Sequence, residues 1–93
     1  PSLSNRRHHR NITMWKEEHN TLTRTFKFKN FSKAFSFMTE VAIEAEKLNH
    51  HPNWSNVYNS VIITLSTHDA GNIITNKDRE LAQAIDRLLE DAE

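Results

Sequence analysis

Hydrophobic and polar residues alternate cleanly from Leu22 to Lys29. Leu22, Phe26 and Phe28 share one parity, and Thr23, Thr25, Lys27 and Lys29 the other. A period of two is the mark of a half-buried strand. Arg24 breaks the apolar parity, which suggests a place near a sheet edge or facing a partner. Ile12 to Lys16 reads as the preceding strand. Glu18-His19-Asn20 reads as the hairpin turn, because Asn tolerates left-handed dihedrals, and His19 is then a solvated turn residue.

At Asn30 the period changes. Phe31, Ala34, Phe35, Met38, Val41, Ala42, Ala45 and Leu48 recur at helical steps and predict an apolar stripe on a helix from Phe31 to about Asn49. Asn30 is its expected N-cap. Phe37 and Ile43 fall off this stripe and are expected to be exposed or to cover a subunit contact. His51 precedes Pro52, a position pushed out of helical dihedrals, so the helix should stop at Asn49 or His50.

A loop containing Trp54 should follow, then one long strand from Val57 to His68. The odd-numbered, more apolar face of that strand should meet the helices. Asp69 to Ile74 forms a turn around the single glycine, Gly71. Thr75 should cap a second helix, with Asp78 reaching back to it. Leu81, Ala84, Ile85, Leu88 and Ala92 would be its stripe. The order strand, strand, helix, strand, helix predicts an α+β fold of two layers, an antiparallel sheet with helices packed on one face.

Length and charge narrow the picture. Ninety-three residues suit one small domain and are too few for two. We divide the chain into a basic N-terminal arm or remnant helix, residues 1–14, and a single domain, residues 15–93. So small a core favours a homo-oligomer, dimer or tetramer, that hides more apolar surface. The 12 basic and 12 acidic residues balance, which argues against bulk binding of polyanions. Arg6-Arg7-His8-His9-Arg10 lacks the interleaved aromatics that stack on bases, so no direct nucleic-acid binding is expected. There is no cysteine, hence no disulfide or thiolate chemistry. No apolar run approaches the roughly 20 residues of a membrane span. A soluble, cytoplasmic domain is expected.

Candidate chemistry gathers at the ends of elements. Glu46 and His50 are four apart, which on a helix brings them within reach of each other. His50 also sits at a helix C-terminus, where a cation is favoured. His51, extended before Pro52, should point away from His50, so two imidazoles can line different sides of a small site. Trp54 offers a flat wall for a ring-shaped ligand. Ser66, Thr67 and Asp69 put polar groups beside His68 at the far end of the strand. Taken singly these features have plainer explanations: solvated caps, a surface ion pair, a core tryptophan, and for Asp78 a helix cap. Neither His-Glu-x-x-His nor another metal-ligand spacing is present, so no metal is expected.

Together, Glu46-x-x-x-His50-His51-Pro52, Tyr58, His68 and Asp78 at these gaps resemble the pterin-4a-carbinolamine dehydratase family, also known as the dimerisation cofactor of a homeodomain transcription factor. Trp15, Leu22-x-Arg24-x-Phe26-x-Phe28, Asn30-Phe31-x-x-Ala34-Phe35 and Leu81-Ala82 agree with it. The resemblance covers about residues 15 to 90. It implies dehydration of a 4a-hydroxytetrahydrobiopterin to the quinonoid dihydrobiopterin, in support of tetrahydrobiopterin recycling, with no metal or organic cofactor. It makes His50, His51 and His68 the active-site histidines. Glu46, Pro52, Trp54, Ser66, Thr67 and Asp69 would shape and bind the pterin. A second implied role, known for some relatives, is non-enzymatic: a transcription-factor partner acting as coactivator, with a nuclear pool.

Overall fold

The computed structural model describes residues 14–92. The basic arm, the Ile12 and Thr13 of the expected first strand, the packing expected of Ala92, and Glu93 lie outside the described residues. The order is β1 (Lys16–Glu18), β2 (Thr21–Lys27), α1 (Phe31–Leu48), β3 (Asn53–Val57), β4 (Ser60–Leu65), a 3-10 turn (His68–Ala70) and α2 (Asn76–Ala92). The four strands form one antiparallel sheet in the order β1-β2-β4-β3. Both helices pack on one face of it, as expected for the α+β fold. Among the described residues no helix is long and apolar enough to cross a membrane.

The first hairpin turns at His19 and Asn20, whose φ angles are 53° and 61°. Two consecutive left-handed residues give the turn whose twist matches that of paired strands. On β2, Leu22 and Phe26 face the helices and are buried, and in register with them Val61, Ile63 and Leu65 of β4 are fully buried. These side chains, with Leu81 and Ile85 of α2, make the core.

Four expectations need correction. The chain from Val57 to His68 is not one strand, and Trp54 is not in a loop: Asn53–Val57 pairs with Ser60–Leu65 across a turn at Tyr58-Asn59. Tyr58 takes φ 53° there. Side-chain amides hold this turn without a glycine: Asn56 Nδ2 donates to Ser60 O at 2.8 Å, and Asn59 Nδ2 to Phe28 O at 2.8 Å. Val57 consequently sits at the end of an edge strand, 74% exposed, rather than in the core.

The first strand is Lys16–Glu18, later than the predicted Ile12 to Lys16. The inward face of α1 keeps Ala34, Met38, Val41, Ala45 and Leu48 of the predicted stripe but takes in Phe37 and leaves out Phe31 and Phe35. Ala34, Phe37, Val41 and Ala45 are buried, whereas Phe31 and Phe35 are half exposed. The Phe37 ring lies 4.9 Å from both Phe26 and Phe28, since a 34-37-41-45 face meets the sheet and α2 together.

Arg24 lies on β2 one residue past the end of its pairing with β1, so only β4 flanks it there, near the sheet edge as expected. Its guanidinium turns to the helix layer and bonds Asp86 Oδ1 of α2 at 2.7 Å, with side chains only 10% and 13% exposed. Burial pulls this guanidinium below its ordinary value, and the charge and hydrogen bond of Asp86 oppose that pull. Trp15 Nε1 donates to the same oxygen at 3.0 Å, and the Phe26 ring lies 4.6 Å from the Arg24 guanidinium carbon.

Candidate active site

The site begins at the end of α1. Asn30 caps the start, its Oδ1 accepting from Lys33 N at 2.9 Å, and Asn49 ends it in the left-handed region at φ 52°. Asn49 N donates to Glu46 O and His50 N to Ala45 O. This paired pattern closes a helix while swinging the chain off its axis. His50 is therefore no longer on the helical spiral, and the four-residue spacing from Glu46 ceases to apply.

The imidazole of His50 turns inward, 8% exposed. Its Nε2 meets Asp78 Oδ1 of α2 at 2.5 Å. Asp78 is fully buried, and its Oδ2 accepts from Thr67 Oγ1 at 2.8 Å and from Thr75 N at 2.9 Å. The predicted back-reach of Asp78 to the cap is thus present, and the same carboxylate holds a histidine. The expected Glu46–His50 contact is not formed. Glu46 Oε1 instead meets His51 Nε2 at 2.8 Å, in a pair whose side chains are 77% and 61% exposed.

His68 arrives from the other direction, on the 3-10 turn after β4. Its Nδ1 contacts Asn72 Oδ1 at 3.1 Å. Gly71 closes the turn at φ 91°, a conformation that suits a residue without Cβ.

These pieces enclose an open cleft of about 260 Å³ lined by Asn49, His50, His51, Ser66, Thr67, His68, Asp69 and Lys77. It lies just under the range of about 300–1,000 Å³ typical of ligand clefts. The three histidines converge on it, with Ser66, Thr67 and Asp69. Glu46, Pro52 and Trp54 do not line it. Trp54 pairs with Ile63 in the sheet and packs half-buried against the core, so its ring faces the helix layer.

Asn49, Lys77 and Asp78 complete the surroundings and were absent from the sequence-derived set. The capping position of Asp78 signals a backbone role, and nothing local announces a contact with a residue 28 positions earlier. A larger hollow of about 500 Å³ opens where α1 begins and α2 ends, lined by lysines, phenylalanines and leucines. It contains no histidine. Among the described residues no group of three or more His, Asp or Glu could hold a metal ion.

Comparison with known proteins shows the family. The family model described as pterin 4 alpha carbinolamine dehydratase matches residues 2–88. The chain belongs to that family. The match takes in most of the stretch read as an arm. A protein of Prochlorococcus marinus strain NATL2A, provisionally named pterin-4-alpha-carbinolamine dehydratase, is 52% identical over 75 residues, covering 81% of this chain and 78% of the relative. A Rhodospirillum rubrum protein with the same provisional name is 60% identical over 68 residues, covering 73% and 70%.

Among solved structures, a transcriptional coactivator/pterin dehydratase of Brucella melitensis superposes with a TM-score of 0.76 at 40% identity, covering 86% of this chain and 89% of that one. A pterin dehydratase-like protein identified as a RuBisCO assembly factor in the alpha-carboxysome gives a TM-score of 0.69 at 25% identity, covering 84% and 92%.

Proposed function

We propose that this member of the family dehydrates 4a-hydroxytetrahydrobiopterin to quinonoid dihydrobiopterin by histidine acid-base catalysis. The observation that carries this reading is the convergence of His50, His51 and His68 on one cleft, each with a different partner at its back. The C4a–O bond breaks as an imidazolium delivers a proton to the departing oxygen. The N5–H bond gives its proton to a base, its electron pair forms the C4a=N5 double bond, and water leaves. Hydroxide is a poor leaving group, so the proton delivered to oxygen supplies most of the acceleration.

The partners suggest how the work divides. His50 and His51 each face a carboxylate, which suits a ring that carries positive charge during the reaction. His68 faces a neutral amide, which suits a ring that orients the pterin or accepts the N5 proton. Ser66 and Asp69 offer polar groups to the pterin edge, and Lys77 stands at the same rim. The Thr67 hydroxyl is already taken by Asp78 and Thr75, so it is not a substrate contact.

Following the carbinolamine absorbance after rapid mixing tests the proposal. Wild-type protein should accelerate its loss, and His50→Ala, His51→Ala and His68→Ala should each lose most of that acceleration, roughly a hundredfold or more. A wild-type rate equal to the spontaneous one refutes the enzymatic reading. It would favour the second, non-enzymatic one, which draws on the coactivator and assembly-factor roles in the names of two structural relatives.

The expected homo-oligomer is proposed on the exposed Phe31, Phe35 and Ile43 of α1, which are 50%, 55% and 52% exposed. Sedimentation as a monomer at micromolar concentration would count against it.

A further inference from the structure

The direction of every hydrogen bond behind His50 follows from counting protons. Asp78 accepts at Oδ2 from the Thr67 hydroxyl, 2.8 Å away, and from Thr75 N–H, 2.9 Å away. A threonine hydroxyl has one proton to give, and Thr67 gives its own to Asp78. The 2.5 Å contact between Thr67 Oγ1 and Thr75 Oγ1 must then be donated by Thr75. Thr75 Oγ1 in turn accepts from Lys77 N–H at 3.3 Å. The chain runs one way, towards the carboxylate. An ionised Asp78 has nothing to donate, so Nε2 of His50 must donate to it, and the lone pair of neutral His50 falls on Nδ1.

We propose that the paired hydroxyls of Thr67 and Thr75 are positioning groups that hold the Asp78 carboxylate in the orientation from which it sets the tautomer and ring orientation of His50, so that the His50 proton exchanges with the guest at Nδ1. This rests on the reading of His50 as an acid-base residue of the cleft. Thr67 is placed for such a role by both its backbone and its side chain. Its carbonyl accepts from Ala70 N and Asn72 N and its N–H donates to Ile73 O, which shapes the turn carrying His68. Its buried hydroxyl acts on Asp78, and through Asp78 on His50. One residue thereby sets two of the three imidazoles relative to each other.

Thr67→Val is the deciding variant, since valine keeps the shape and deletes the hydroxyl. Asp78 then loses a donor and Thr75 loses its acceptor, which frees the carboxylate to rotate. We expect kcat to fall about tenfold with KM within about twofold, the pattern of a misplaced catalytic group rather than a lost binding contact. Thr67→Ser should recover most of the loss.

The ¹⁵N spectrum of the His50 ring should show the proton on Nε2 in wild type and a mixture of tautomers in Thr67→Val. An unchanged kcat, or a lower kcat with an unchanged His50 spectrum, overturns the proposal. If Thr67→Val does not fold, Thr75→Ala serves instead, because it removes the donor into Thr67, together with the longer bond from Lys77 N, and leaves the Thr67 hydroxyl on Asp78 in place. The same tautomer shift is then required, and its absence overturns the proposal equally. A protein that catalyses nothing while the His50 tautomer still follows Thr67 would sink the dehydratase reading and leave the hydroxyl pair standing.

Discussion

Asp78→Asn is the sharpest probe of how this site is held. The substitution keeps size and shape but exchanges one acceptor oxygen for an NH₂. Thr67 Oγ1–H and Thr75 N–H both point at Oδ2, so the amide oxygen has to stay there. The NH₂ is then forced against His50 Nε2, at a separation that is 2.5 Å in the native pair. Neutral His50 can answer only by moving its proton to Nδ1, and the imidazolium has no acceptable arrangement at all.

Losing a buried hydrogen bond to a charged group costs about 2 kcal/mol of stability. Losing the correctly protonated acid-base residue costs about a thousandfold in kcat, which corresponds to roughly 4 kcal/mol of barrier. The assay is rapid-mixing absorbance for the rate and urea unfolding for stability. Glu46→Gln is the matched control: its pair with His51 is exposed, so stability should move by no more than about 0.5 kcal/mol. An Asp78→Asn protein turning over within threefold of wild type would show that the buried pairing has no part in the chemistry.

Three further outcomes follow from the packing. Phe37→Ala should cost about 3–5 kcal/mol because its ring is buried against Phe26 and Phe28, whereas Phe35→Ala, measured on the dissociated monomer, should stay within about 0.5 kcal/mol; equal urea midpoints would contradict the observed helix face. Arg24→Met removes the charged hydrogen bond to Asp86 and should lower stability by about 2 kcal/mol at an unchanged denaturant slope; an unmoved midpoint would refute this. Asn49→Gly should be tolerated at φ 52°, while Asn49→Val should cost about 1–2 kcal/mol and lower kcat as well, because it misdirects His50; a fully active Val variant would refute that coupling.

Local signals were legible in the sequence and long-range ones were not. The cap at Asn30, the left-handed pair in the first hairpin and the stop before Pro52 all depend on a few adjacent residues, and all three are where the pattern puts them. The turn at Tyr58-Asn59 was hidden because it has no glycine and takes its support from Asn56 and from Phe28 on another strand.

The centre of the α1 face was right at Ala34, Val41 and Ala45, but its margins were misjudged because Phe31 and Phe35 on one side and Phe37 on the other are equally apolar. Only the position of β2 and α2 selects between them. The partner of Arg24 was hidden because it is on α2, 62 positions later. The family resemblance picked out the histidines as a set, and the structure lines one cleft with all three, but their partners were not legible. Helical arithmetic paired Glu46 with His50, and one left-handed residue, Asn49, reassigns it to His51.

The two helices run in opposite directions, so the closing turn of one and the opening turn of the other meet at the same end of the molecule. Helix ends fray first, and that makes the anchor of His50 the earliest casualty of partial melting. Amide exchange at Asp78 and Arg79 should then outpace exchange in β4, and activity on warming should vanish well below the temperature at which the sheet comes apart. Rigidifying the first turn of α2 would, on this view, widen the working temperature range without any change to the core.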